Sequence, residues 1–164
     1  MMSNKLSSLE VFGVAIRSEI QAARAYQHMA LLLEARELKR KLRFLRDEER
    51  KHRAMLEEMY HAEFPGVKLE LPDKGLAPKL DAAVEKNTPV VKLFELAMAA
   101  EKTAEEFYAD AVARSESQSG RKLLAYLSGM ERGHYFLLKS EYDLITQFDK
   151  FQSYKKFTME HLGP

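Results

Sequence analysis

The sequence has no cysteine, and proline and glycine are scarce, with 5 and 7 residues among 164. Without cysteine there can be no disulfide, no thiolate metal ligand and no iron–sulfur centre. A metal site in this chain must therefore use Glu, Asp and His, a ligand set suited to iron or manganese and less exclusively to zinc. The lack of disulfides also fits a cytoplasmic protein, which is the location we expect.

The sequence also lacks a large excess of either positive or negative charge, and it lacks long apolar runs. The net charge is +1, so the chain lacks the basic surface that nucleic-acid binding requires. No run approaches the roughly 18 apolar residues of a membrane span, and Met1–Lys5 lacks the apolar stretch of a signal peptide. With 46% hydrophobic and 31% charged residues, the sequence predicts a soluble single domain over residues 1–164, without nucleic-acid or membrane partners.

Two copies of one pattern lie 82 residues apart in the chain. The matched positions recur at steps of three and four residues, which is typical of the inward stripe of a helix in a bundle. On this stripe each copy carries two Glu, one Tyr and one His. The four pairs are Glu19/Glu101, Tyr26/Tyr108, Glu49/Glu131 and His52/His134. Burying such groups among leucines is unfavourable unless they are compensated, so the pattern indicates a shared pair of metal ions.

Four long helices account for most of the chain. A capping-box spacing from Ser7 to Glu10 opens the first, and Thr88-Pro89 supplies an N-cap and a first helical residue to the third. The predicted ranges are about 8–34, 37–62, 89–114 and 121–149. The connection over about 63–88 holds three prolines and is irregular, with a helical turn expected at Leu80–Lys86.

The lengths of the connections predict the topology. Short turns join helices 1 and 2 and helices 3 and 4, which makes each pair an antiparallel hairpin. The long crossover can travel back along the bundle, so that the third helix starts at the same end as the second. The fold class is therefore all-α, a ferritin-like four-helix bundle over about 8–149, with two antiparallel hairpins joined by a long crossover. An aromatic C-terminal extension, about 150–164, packs either over the bundle or across a dimer interface.

Each copy of the repeat contains Glu-x-x-His, which puts two side chains on one helical face within reach of one ion. A single such motif is weak evidence, because Glu-rich helices produce it by chance. Two copies in register, each preceded by a Glu on another predicted helix, indicate a metal centre. The predicted metal ligands are Glu19, Glu49, His52, Glu101, Glu131 and His134.

This motif set resembles the rubrerythrin branch of the ferritin-like superfamily over nearly all of residues 8–148. The resemblance implies a dinuclear centre of two iron ions, with manganese or zinc as alternatives. It implies that Glu49 and Glu131 bridge the ions. Glu19 with His52 would complete one ion, and Glu101 with His134 the other.

Two departures from the family pattern limit what it implies. Classical rubrerythrins carry a rubredoxin-like domain with four cysteines that supplies electrons, and this sequence has none, so we expect a separate electron-donor protein. They also carry an extra glutamate in the third helix, three residues after the terminal ligand, that is tied to peroxide reduction. Ala104 stands there, matching Ala22 in the first half. The next residue, Glu105, is predicted to be solvated, with an inward swing into the site as the alternative.

Tyr26 and Tyr108 are the predicted catalytic residues. Each lies seven residues after a ligand Glu, on the same face. A hydrogen bond to a bridging carboxylate is the favoured role, because metal-bound carboxylates need orienting partners. A redox-active side chain and an ordinary core tyrosine are the alternatives. Arg50 and Arg132, one residue after a ligand, are predicted to form interhelical ion pairs.

The favoured function is an oxidoreductase of the peroxidase or ferroxidase type, active in oxidative stress, that reacts with hydrogen peroxide or oxygen and takes electrons from an external protein. We expect it to form a homodimer. Two alternatives remain open: an iron-binding or sensing protein without turnover, and a di-iron oxygenase acting on an organic substrate.

Overall fold

The computed structural model describes residues 6–77 and 85–162, and the side chains of residue 151 and of residues 153–162 lie outside the description. Four helices make up the described chain: α1 (Ser8–Leu32), α2 (Arg36–Glu63), α3 (Val90–Val112) and α4 (Gln118–Leu162). These residues include no strand. The all-α prediction is confirmed.

Side-chain caps explain where α1 and α4 begin. Ser7 caps α1, since its hydroxyl accepts from the Glu10 amide at 3.3 Å while its own amide donates to Glu10 Oε2 at 2.8 Å. α3 begins one residue later than predicted: Pro89 is the N-cap, and Thr88 Oγ1 accepts from the Glu85 amide instead. α4 begins three residues earlier than the predicted Arg121, because Ser117 Oγ accepts from the Gly120 amide at 2.8 Å and caps the helix.

α4 also ends later than predicted. The sequence expectation placed its end near Asp149, but the helix continues to Leu162. No proline or glycine lies between Asp149 and Leu162, so nothing in the sequence interrupts the helix there. The packing of the extension over the bundle or across a dimer interface stays a prediction, since most of its side chains lie outside the description, as does most of the helical turn predicted at Leu80–Lys86.

The helices pack as two hairpins, α1 against α2 and α3 against α4, and the hairpins meet through α1–α3 and α2–α4 contacts. Tyr26 of α1 bonds Glu101 of α3, while Tyr108 bonds Glu19. Residue numbers rise along one helix as they fall along the other, so α1 and α3 run antiparallel. The long crossover makes this arrangement possible, and the ferritin-like bundle is confirmed.

Two apolar clusters fill the interior, one toward each end of the bundle. The first contains Tyr26, Met29, Leu33, Leu42, Leu45, Leu93, Phe94 and Leu138. The second contains Phe12, Ile16, Leu56, Tyr60, Tyr108, Leu124 and Leu127. The Glu and His residues of the 82-residue repeat lie between the two clusters, so apolar packing on both sides shields them from bulk water. Among the described residues no helix is long and apolar enough to cross a membrane.

The middle of the crossover lies against α1. Arg17 Nε donates to Pro72 O at 2.6 Å, and the amides of Gly75 and Leu76 donate to Gln21 Oε1 and Ser18 Oγ at 3.1 and 2.8 Å. A Cβ on Gly75 would lie 2.6 Å from the Ser18 hydroxyl and 2.9 Å from Ser18 Cα, so only glycine allows this close approach.

Candidate metal centre

The structure brings all six predicted ligands together in the middle of the bundle. α1 and α3 contribute one Glu each, and α2 and α4 each contribute a Glu and a His three residues apart. Their exposed fractions lie between 1% and 4% for Glu19, Glu49, His52, Glu101, Glu131 and His134. All four helices therefore supply buried ligand side chains at the same height along the bundle, as the repeat predicts.

The first half of the site is centred on His52. Its Nδ1 lies 3.1 Å from Glu49 Oε2, 3.1 Å from Glu131 Oε1 and 3.7 Å from Glu19 Oε2. One imidazole nitrogen thus faces one oxygen from each of three carboxylates, which come from three different helices. An ion among these atoms would be held by α1, α2 and α4 together.

The second half repeats this geometry around His134. Its Nδ1 lies 3.1 Å from Glu49 Oε1, 3.4 Å from Glu131 Oε2 and 3.7 Å from Glu101 Oε2. The two imidazole rings stack with centroids 5.3 Å apart and planes at 13°. Glu49 and Glu131 each direct one oxygen to either half, whereas Glu19 and Glu101 each serve one half only.

The site leaves buried polar atoms without hydrogen-bond partners among the described residues. These atoms are Glu49 Oε1, Glu131 Oε1, His52 Nε2, and both ring nitrogens of His134. Buried polar atoms are normally satisfied. The six residues of the site form two groups of four, which share Glu49 and Glu131, and in each group one ligand atom per residue lies within 4.8 Å of the others. Such oxygen and nitrogen donors suit iron or manganese, so the residues fit a pair of metal ions.

Burial and mutual repulsion set the protonation of the carboxyls. Desolvation, followed by repulsion from Glu49 and Glu131, raises the pKa values of Glu19 and Glu101 well above their usual range. His52 loses affinity for a proton by burial, but hydrogen bonds to the surrounding carboxylates outweigh this and raise its pKa to about 12. The four carboxyls therefore collect positive partners, protons or metal ions, to balance their charge.

Tyr26 and Tyr108 lie on the site in crossed positions. The Tyr26 hydroxyl donates to Glu101 Oε1 and the Tyr108 hydroxyl to Glu19 Oε1. A hydrogen bond to a carboxylate of the site was predicted, but the prediction that it reaches Glu49 or Glu131 is wrong. Because α1 and α3 run antiparallel, each tyrosine lies opposite the glutamate of the other helix.

Burial, then repulsion from the neighbouring carboxylates, raises the pKa values of Tyr26 and Tyr108 well above the usual range. Both phenols therefore remain protonated at neutral pH and act as hydrogen-bond donors. Their donated protons fix the orientation of Glu101 and Glu19.

Glu105 does not lie with the six ligands. It is 8% exposed, so the expectation of a solvated side chain is wrong. Its carboxylate accepts from Arg132 Nε of α4 at 3.0 Å and from Lys102 Nζ at 3.1 Å, and the Arg132 guanidinium, then Lys102, lowers its pKa. Arg132 thus forms the predicted interhelical pair, but Arg50 pairs within α2, with Asp47 at 3.3 Å.

Glu105→Gln should leave two metal ions bound per chain, because the carboxylate serves Arg132 and Lys102 instead of the metal centre. Because both cationic partners of Glu105 are exposed, losing these ion pairs should lower the free energy of unfolding by about 1 kcal/mol or less. Metal analysis and urea unfolding of the metal-loaded variant check both expectations. A variant that binds fewer than two ions would place Glu105 among the ligands.

A cavity of ≈ 30 Å³ adjoins the metal centre between α1 and α3. Its walls include carboxylate residues of the site, the small residues Ala22, Ala100 and Ala104, and Leu76 and Ala77 from the crossover. About 10–15 Å³ holds one water molecule, so this space accommodates one or two water-sized molecules.

The sequence did not indicate that the crossover covers this cavity. An irregular segment has no periodicity from which its packing could be predicted. One signal was present in the repeat. The crossover amides donate to Ser18 and Gln21, and different residues, Ala100 and Thr103, stand at the matching positions of α3. Departure from the repeat marks where the crossover contacts the bundle.

Solved structures share this architecture. A hypothetical protein from Pyrococcus furiosus is 33% identical, with a TM-score of 0.79 over 90% of this chain and 95% of that chain. Two structures of KatB, a manganese catalase from Anabaena and from Anabaena PCC7120, have TM-scores of 0.71 and 0.70 at 15% and 16% identity. Each match covers 89% of this chain and 77% of the catalase chain, and at such low identity it shows the fold alone.

No curated protein matches this sequence. The rubrerythrin family matches over residues 10–142, which include all six predicted ligands and both tyrosines. The match carries with it a dinuclear metal centre of the redox type, and the buried donor set at the centre of the bundle fits one. With its four-helix bundle and its paired Glu-x-x-His motifs, this chain belongs to the rubrerythrin family.

Proposed function

We propose that this protein is a dimetal peroxidase that reduces hydrogen peroxide to water with electrons from a separate donor protein. In this proposal Glu49 and Glu131 would each hold both ions, since each directs its two oxygens to different histidines. Glu19 with His52 would complete the ligands of one ion, and Glu101 with His134 would complete those of the other. The metal is iron or manganese, both of which suit carboxylate and imidazole donors.

The observation that carries this proposal is the size of the cavity beside the metal centre. At ≈ 30 Å³ it suits a molecule of two heavy atoms, such as hydrogen peroxide or oxygen. Pockets for organic ligands usually measure about 300–1,000 Å³, an order of magnitude more. The cavity therefore favours a small oxidant and argues against an oxygenase with an organic substrate.

Reduction of hydrogen peroxide to two water molecules breaks the O–O bond and takes up two electrons and two protons. Two ions held by the glutamates and histidines of the site would supply these two electrons, and the donor protein would restore them after each cycle. We propose a separate donor because residues 1–164 hold no cysteine for an iron–sulfur or rubredoxin-type group.

The chain's own residues contribute orientation and shielding. The Tyr26 and Tyr108 hydroxyls hold Glu101 and Glu19, so that these carboxylates keep one oxygen directed to the histidines. Leu76 and Ala77 line the cavity on the crossover side, where they would limit the entry of water. Ala22 and Ala104 leave the space in which the oxidant lies, because a longer side chain at either position would fill it.

Stopped-flow spectroscopy tests this proposal. The anaerobic protein loaded with ferrous iron is mixed with hydrogen peroxide or with oxygen at equal concentration, and oxidation is followed by absorbance. We expect faster oxidation by peroxide. Faster oxidation by oxygen would favour a ferroxidase, and no oxidation by either would favour an iron-binding or sensing protein.

A bulkier peroxide tests whether the cavity selects by size. The native protein should reduce tert-butyl hydroperoxide at least tenfold more slowly than hydrogen peroxide. Leu76→Ala should widen the opening of the cavity and admit tert-butyl hydroperoxide.

Tyr108→Phe should bind two ions per chain and oxidise at a different rate, because it removes only the hydrogen bond that orients Glu19. Tyr26→Phe is the matched variant in the other half, where the bond to Glu101 is lost. Ferrous titration and stopped-flow oxidation measure both properties. Native rates in both variants would show that the tyrosines are ordinary core residues.

A further inference from the structure

A groove between α1 and α2 carries a concentration of positive charge that the proposed function does not use. Its volume is ≈ 460 Å³. The groove is lined by Arg24 and His28 of α1 and by Arg50 and Arg53 of α2, with Ala23 among its walls. The three arginines are exposed, whereas Ala23 is 8% exposed, so the charged side chains surround a buried alanine.

The repeat provides an internal comparison for this groove. Adding 82 to Ala23 gives Glu105, and adding 82 to Arg50 gives Arg132. In the α3–α4 hairpin the Glu105 carboxylate therefore stands where Ala23 stands in the α1–α2 hairpin, and it accepts from Arg132 Nε at 3.0 Å. The protein fills the second groove with its own carboxylate and leaves the same place in the first groove open.

Two of the surrounding positions differ between the grooves in the same direction, whereas Ile20 of the first groove corresponds to Lys102, which donates to Glu105 in the second. Arg24 and His28 correspond to Glu106 and Asp110, so two positions that are basic in the first groove are acidic in the second. At these two positions the first groove carries basic side chains and the second carries acidic ones. Such a difference favours an anion in the first groove only.

The groove arginines have weak internal partners. Arg53 Nε lies 2.7 Å from Glu57 Oε1, one turn along the same helix, and Arg50 pairs with Asp47 in the same way. Arg24 has no hydrogen bond or ion pair within the described residues. Exposed pairs of this kind contribute little stability, so an external oxyanion can replace them.

Glu19 contributes to the wall of the groove, but its oxygens are engaged elsewhere. Oε1 accepts from Tyr108, and Oε2 lies 3.7 Å from His52 Nδ1. An anion in the groove would therefore contact the outer side of a residue that we assign to the metal centre, without taking the place of a ligand.

We propose that the α1–α2 groove binds a small organic anion, with a carboxylate or phosphate group in the position that the Glu105 carboxylate takes between α3 and α4. Guanidinium groups bind both oxyanions through paired, charge-assisted hydrogen bonds, and three arginines line this groove. The volume of the groove exceeds that of a bare ion and suits an anion with an organic body.

Isothermal titration calorimetry of the metal-loaded protein with succinate and with glycerol 3-phosphate tests this proposal at low ionic strength. We expect at least one probe to bind at one site per chain with a Kd below about 1 mM, a typical affinity for a small metabolite. Binding of succinate alone identifies a carboxylate site, and binding of glycerol 3-phosphate alone identifies a phosphate site. If neither binds below about 10 mM, the proposal is wrong.

Ala23→Glu gives the sharpest variant, because it places in the first groove the carboxylate that Glu105 provides in the second. The new side chain should pair with Arg50 and weaken probe binding at least tenfold. Arg24→Gln should weaken binding by a similar factor, whereas Lys122→Gln, which removes one exposed charge on α4, should not change it. Each variant is used only if it still binds two metal ions. Native probe affinity in both Ala23→Glu and Arg24→Gln would place any binding outside the groove and overturn the proposal.

Discussion

Glu49→Ala should abolish both metal sites at once, and Glu131→Ala should do the same. Each of these carboxylates directs one oxygen toward His52 and the other toward His134, so its loss removes a ligand from both ions. Loss of one strong ligand weakens a site by much more than the 10- to 100-fold effect of an orienting residue. We expect binding of fewer than 0.5 ions per chain at micromolar free metal, measured by titration with cobalt or ferrous ions.

Glu19→Ala and Glu101→Ala are the matched controls for this experiment. Each of these glutamates faces a single histidine, at 3.7 Å, so either variant should lose one ion and keep the other. The two classes of variant thus separate a shared dinuclear centre from two independent sites. Two ions bound with near-native affinity by both Glu49→Ala and Glu131→Ala would rule out the shared centre.

Metal binding should raise the melting temperature by roughly 10–20 °C. A ligand that binds only the folded state at about 100 times its Kd stabilises it by about 2.7 kcal/mol, and two sites double this effect. In a chain of this size, each kcal/mol raises Tm by about 2–4 °C. The two-ion site also relieves the repulsion among four buried carboxyls, which acts in the same direction.

Calorimetric melting of the protein with iron or manganese, and with chelator, measures this shift. Glu49→Ala is the internal control, because a variant without metal sites should melt at the same temperature in both conditions. Equal melting temperatures of the native protein with metal and with chelator would show that no ion binds in the core.

The arrangement of the metal centre could be predicted because the sequence contains its ligand pattern in two copies, 82 residues apart. Four functional pairs repeat at one spacing, on positions that also carry the packing pattern of the bundle, and the structure brings Glu19, Glu49, His52 and their three counterparts together. The lengths of the connections were sufficient for the topology. Both predictions rest on periodicity, which a sequence records directly.

Features that depend on neighbouring helices could not be predicted in the same way. Tyr26 lies about two turns from Glu19 on its own helix, and only the antiparallel packing of α1 and α3 places it against Glu101. Glu105 has the sequence surroundings of an exposed residue, and its burial depends on Arg132 of α4. The cover that Leu76 provides for the cavity belongs to an irregular segment, for which no pattern exists.

Anomalous diffraction from crystals of the protein purified from its native host tests the central claim most directly. Data collected on either side of the iron and manganese absorption edges locate each metal and identify it. The account predicts two metal peaks per chain between Glu49 and Glu131, one beside His52 and one beside His134. A single peak, peaks elsewhere in the molecule, or no anomalous signal at these residues would contradict it.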